Sequence, residues 1–160
     1  VTWTKLPDET TDDLWDLSDG AFRLHLGGLF YANRMHTDGH VPESRLSTLV
    51  PRFRRADLDE LVAAGRWVAV EGGYAVPEFL DNQPSRAEYD AQRDYDAIRQ
   101  RKSNAPTPAA KAALQAEEEA AKRRLWEARN ARRRTVTHVV THSVTHDVTH
   151  TAPSRPVPSR

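Results

Sequence analysis

The pattern of apolar and polar positions changes period along the chain, and the changes mark its elements. Ser18 offers a hydroxyl as a helix N-cap. Phe22, Leu26, Leu29 and Phe30 then recur at spacings of three and four, which predicts a helix to about Arg34 with those side chains as its buried stripe. Thr37-Asp38-Gly39 closes it as a turn. His40-Val41 is a short extended stretch, and Pro42 suits the first turn of a second helix with the stripe Leu46, Leu49 and Val50, which Pro51 stops. A third helix carries Leu58, Leu61 and Val62 and ends at Gly65. From Arg66 the period becomes strand-like on both sides of Gly72-Gly73, a turn pair suited to a β-hairpin. Pairing Glu71 with Tyr74 puts Trp67, Ala69, Tyr74 and Val76 on one face, the expected core face, with Pro77 on an edge strand.

Beyond Asn82 the apolar periodicity thins. Ser85 caps a helix to about Lys102 that is polar on nearly all sides, with Tyr89, Tyr95 and Ile98 as anchors, so it docks lightly or projects. Residues 103–108 read as a Pro-containing linker, and residues 109–134 as an alanine-rich helix supported by Glu118/Lys122 and Glu119/Arg123 pairs. Its seam of Leu114, Ala121, Leu125 and Ala128 is thin; the expectation is a solvated single helix, with a coiled-coil dimer as the alternative. Val-Thr-His then begins at Val136, Val140, Val144 and Val148, a period of four that ends in a Pro/Ser/Arg-rich tract expected to be disordered. Four units result: 1–82, 83–104, 105–134 and 135–160. The expected fold class is mainly α with a small β-hairpin, a winged helix-turn-helix followed by extended C-terminal helices and a disordered tail.

The chain has 160 residues, with 38% apolar and 29% charged and a mean hydropathy of -0.72, which fits one small core plus a polar extension. Cysteine is absent, excluding disulfides and thiol catalysis. No apolar run has membrane-spanning length and no signal segment opens the chain, so a reducing bacterial cytoplasm is the expected setting. The net charge of zero hides an asymmetry: residues 1–85 hold 8 basic and 14 acidic side chains, whereas residues 86–134 hold 13 basic and 8 acidic.

No catalytic constellation emerges. Asp12, Asp13 and Asp16 around Trp15 precede a helix they can complement electrostatically; His25 lies beside the apolar stripe as a core or boundary histidine; Gly72-Gly73 lacks a phosphate-loop context. Helical spacing of His138, His142, His146 and His150 would form a ladder, but without carboxylate or thiolate partners no metal or cofactor is expected. The expectation is therefore a non-enzyme. The charge pattern points to double-stranded DNA. Arg45, Arg52, Arg54 and Arg55 cluster in the second helix and the turn into the third, where a helix-turn-helix meets a phosphate backbone, and Arg66 opens the wing. Lys122, Arg123, Arg124, Arg129, Arg132, Arg133 and Arg134 face only Glu127 within thirteen positions, a density suited to sequence-independent phosphate binding. Asp57, Asp59 and Glu60 on the third helix oppose a groove-reading role.

Trp3-Thr4-Lys5-Leu6-Pro7, Leu14-Trp15-Asp16-Leu17-Ser18-Asp19, Ala21-Phe22-Arg23-Leu24-His25, Asp38-Gly39, Leu61 to Trp67, and Gln83-Pro84-Ser85-Arg86 after the wing together resemble small winged-helix proteins of actinobacteria and their phages. The likeness covers about residues 2–104 and extends, more distantly, to the N-terminal domain of phage replisome organisers and DnaD-like replication initiators. It implies DNA binding or assembly in phage replication; the function expected of the whole chain is non-enzymatic DNA binding in replication initiation or transcriptional control. It also implies an alternative in which the winged helix forms a homo-oligomer or contacts replication proteins, while the basic helix contacts a partner.

Overall fold

The computed structural model describes residues 3–8 and 10–144, and only the backbone of residues 11, 13 and 135–144. A single turn, α1 (Thr10–Asp13), precedes the long helix α2 (Asp19–Met35). Ser18 caps α2 by accepting from the Ala21 N–H, and both its N–H and its hydroxyl donate to Glu60, at 2.6 Å each. The helix stops where His36 turns left-handed, at φ 52°. Its buried stripe is Ala21, Leu24, His25, Gly28, Leu29 and Ala32, rotated from the expected one: Phe22 and Leu26 are half-buried and Phe30 is 50% exposed. The reason is Trp67. Its indole lies so close to Gly28 that a Cβ there would sit 2.4 Å from Cζ2, so the helix turns its small residues inward and its larger ones to the flank.

Strand β1 (His40–Pro42) leads through a 3-10 turn (Glu43–Arg45) into the one-turn helix α3 (Leu46–Leu49), and α4 (Arg55–Ala63) follows. The end of α4 is closed by a paired C-terminal cap: Gly65 at φ 69° donates to the Val62 carbonyl and Arg66 to that of Leu61. Strands β2 (Val68–Val70) and β3 (Gly73–Ala75) form the hairpin, and β1 pairs antiparallel with β3, so the three-stranded order is β1-β3-β2. The hairpin register differs from the expected one. Val70 pairs with Gly73 and Ala69 with Tyr74, so the turn is Glu71-Gly72, with Gly72 at φ 76°. Gly73 serves a different need, since a Cβ there would lie 2.2 Å from the Val41 carbonyl oxygen of β1. A shift of two preserves side-chain alternation. Trp67, Tyr74 and Val76 therefore still face the core, while Ala69, near the tip, is exposed. The core joins these residues to Leu24, Leu29, Val41, Leu46, Leu58, Leu61 and Phe79.

After the short α5 (Phe79–Asn82), α6 (Arg86–Asn104) starts at a capping box in which Ser85 and Glu88 satisfy each other's N–H groups. Then α7 (Pro108–Ala113), begun by Thr107 with Pro108 in its first turn, leads into α8 (Gln115–Val144). The last helix is not a solvated rod. It runs antiparallel to α6, burying Ile98, Ala121 and Leu125 between the two. The helix ends at Val144, later than the boundary placed at residue 134: a helix already nucleated propagates at lower cost than one started afresh. Residues 145–160 and the histidine side chains of the repeat lie outside the described residues.

Candidate nucleic-acid interface

Polar clasps hold α8 against both ends of α6. At one end Lys102 reaches Glu118 at 2.6 Å and Gln115, and Arg101 reaches Glu117 at 3.0 Å. At the other, the Nε of Arg132 stands 2.6 Å from Oε2 of the buried Glu88, and its Nη1 donates to the carbonyls of Leu80 and Gln83 at 2.9 and 3.3 Å. Gln83 is itself a buried hub, its side-chain amide bridging the backbone N–H and carbonyl of Lys5. Asn33 adds to the strap by donating to the Trp3 carbonyl and Thr4 hydroxyl, and Tyr89 donates to the Asn33 oxygen. The Gln83-Pro84-Ser85-Arg86 motif thus ties the N-terminal strap, the start of α6 and the C-terminal part of α8 at one junction. Arg86 completes it by donating its backbone N–H to Asp38 at 2.6 Å.

The twelve candidate cations meet different fates. Arg54 forms a fork on Asp57, at 3.1 and 2.6 Å, and Arg55 contacts Asp59, Glu43 and the Tyr74 hydroxyl. Asp57 is buried where the absent side chain of Gly20 leaves room, so the charge of Arg54 answers an acid of its own domain. Donating to the Asp57 carboxylate, and then its negative charge, raise the Arg54 pKa. Arg66 pairs with Glu78 at 3.5 Å. Arg45 and Arg52 are exposed and have no ion pair among the described residues. The inner cluster is therefore a partly neutralised surface next to an acidic α4.

On α8, Arg132 is committed to Glu88, and Arg129 lies on Gln92 at 3.2 Å and 4.0 Å from Glu88. Arg133 joins Arg129, Arg132, Lys5, Tyr89 and Gln92 around a cleft of about 450 Å³. Lys122, Arg123, Arg124 and Arg134 are exposed and form no ion pair among the described residues. The structure thus brings the C-terminal cations onto one braced helix, with Lys5 beside them. Lys5 belongs to the far end of the sequence, and no local pattern marks it. Trp126, the exposed aromatic on this helix, stands in the sequence as one ring within a run of cations.

His25 is a core histidine. It accepts from the Trp67 indole at 3.0 Å, and its pKa is lowered to about 4 by burial and then by the Arg66 charge. Among the described residues no group of three metal-ligating side chains is assembled, and no helix is long and apolar enough to cross a membrane. No family model, curated protein or solved structure matches the chain.

Proposed function

We propose that the protein is a non-enzymatic, DNA-binding winged-helix protein of phage or mobile-element type, acting in replication initiation or transcriptional control in a bacterial cytoplasm. The observation that carries the DNA reading is the braced α8. Four cations with no ion pair among the described residues, and a further cleft lined by basic side chains, stand on a helix clamped by Glu88, Leu80 and Gln83, so phosphate binding costs little ordering entropy. What supports the winged-helix reading is the order helix, strand, helix, helix, hairpin with strands arranged β1-β3-β2. The acidic α4 and the occupied Arg54 and Arg55 argue for backbone attachment over base reading. Titration with duplex DNA across salt concentrations tests this: the logarithm of affinity should fall steeply and linearly with log salt, alike for unrelated sequences. Salt-independent or absent binding would reject it.

The second reading, self-association through the winged helix, is favoured by Val62 on α4 and by Val68 and Val70 on the edge strand β2, all exposed. Sedimentation with and without DNA separates the two.

A further inference from the structure

Trp126 is 65% exposed on α8, turned away from the Ala121/Leu125 seam that meets α6. Helical spacing places it on one stripe with Lys122 a turn before it, Arg129 nearly a turn after and Arg133 two turns after, Arg129 at the edge of the stripe where it also reaches Gln92 of α6. Glu127, the acid within this run, projects elsewhere because neighbouring positions diverge by about 100°. Glu119 bounds the stripe on its N-terminal side and accepts from Gln115 at 2.8 Å. Arg129 and Arg133 also line the cleft that Lys5 and Arg132 share with the buried Glu88.

An indole left in water on a helix that has an apolar seam elsewhere calls for an occupant, and the charge around it selects one. A second copy of this chain would set Lys122, Arg129 and Arg133 against their own kind. A lipid surface needs a broad apolar face, and this stripe offers one ring. A flat aromatic between cations matches a base flanked by phosphates, provided that the base is not already stacked inside a duplex. We infer that the Trp126 stripe is a stacking site for an unpaired base, so that α8 holds single-stranded DNA, its phosphates on Lys122, Arg129 and Arg133 and in the adjoining cleft. The inference rests on the phosphate-binding reading above and narrows its substrate: duplex DNA meets the cations only, whereas an opened strand also meets the indole.

The test compares three probes of equal length, oligo(dT), an abasic strand of the same charge and a duplex, against the full chain and its W126A and W126F variants. The unchanged protein should bind oligo(dT) about 5- to 150-fold tighter than the abasic strand, the range for one stacked base. W126A should collapse that gap while leaving duplex and abasic affinities in place, and W126F should retain much of it. Equal binding of oligo(dT) and abasic strand by the unchanged protein, or a gap that survives in W126A, overturns the stacking site while leaving phosphate binding standing. Failure to bind any of the three overturns both. The exposure of Trp126 makes the variants tolerable to the fold, and their unchanged duplex affinity serves as the check.

Discussion

The unit from Leu14 to Gln83 and the α6–α8 pair are both well supplied with arginine, but they use it differently. In the first, Arg54, Arg55 and Arg66 pair at the surface with Asp57, Glu43, Asp59, Tyr74 and Glu78, over a core of Leu24, Leu58, Leu61 and Trp67. In the second, apolar contact is thin, and Arg132, Arg129, Arg101 and Lys102 fasten the helices while four other cations stay outward. Density of basic residues is therefore a poor guide to binding capacity. What counts is which guanidiniums an internal acid or carbonyl already holds, and whether the helix carrying the rest is anchored.

The comparison is broken most directly through Trp67. Replacing it with Ala should cost about 3 to 5 kcal/mol in urea denaturation, because the indole fills the space over Gly28 and donates to His25. A near-neutral result would mean that the first unit is not held by its core.

The next effect is pH-dependent and also confined to the first unit. His25 is neutral in the fold, with its pKa about 4 against 6.5 for an ordinary histidine. Between those values the unfolded chain binds the extra proton, so stability is full above pH 6.5 and falls with pH until about 4. The loss should approach about 3 kcal/mol, by linkage. His25→Gln, which keeps an acceptor for the indole, should remove this part of the acid sensitivity; identical denaturation profiles of variant and unchanged protein from pH 7 to 4 would reject the burial argument.

Arg132→Ala probes the second unit. It strips the buried Glu88 of its nearer cation and two carbonyls of the Arg132 donor, a loss of about 2 kcal/mol. Amide exchange should quicken in α8 and the first turns of α6, with α2 and β3 unchanged. Likewise a chain ending at Asn104 should keep a cooperative melting transition, since the main core cluster ends at Phe79 and its flanking contacts at Leu80. Uniform acceleration of exchange, or loss of cooperativity on truncation, would mean that the two regions are one folding unit.

These differences explain what could be read from the sequence. Ser18 and Ser85 as caps, Gly65 as a helix end, Pro51 as a stop, and Trp67, Tyr74 and Val76 as core all follow from local chemistry that acts within a few residues. The outward turn of Phe30 did not follow, because the helix face is decided by a tryptophan 37 positions away that needs the glycine at 28. The shifted hairpin turn has the same origin: Gly73 reads as a turn glycine but answers the close approach of β1. In the candidate interface, the basic run was legible as composition, whereas the division between committed and outward cations was not. Arg132 finds Glu88 from 44 positions away, and helical periodicity carries no record of such a polar pairing.

The smallest effects concern single cations and separate the two regions most finely. An outward guanidinium on α8 that contacts one phosphate should, when removed, lower the slope of log affinity against log salt by about 0.9. Arg123→Ala and Arg134→Ala should each do so, on any duplex sequence. Arg54→Ala should not, since its charge is already answered by Asp57 and contributes little net field. Arg55→Ala should behave alike, with Asp59 and Glu43 as its partners. Arg45 and Arg52 are the discriminating pair, being exposed and without an ion pair among the described residues. If the first unit lies along the backbone, each should lower the slope as the α8 positions do. If their removal leaves the slope untouched but changes the sedimentation coefficient, the face of α3 and α4 meets a second protein copy, and α8 alone carries the nucleic acid.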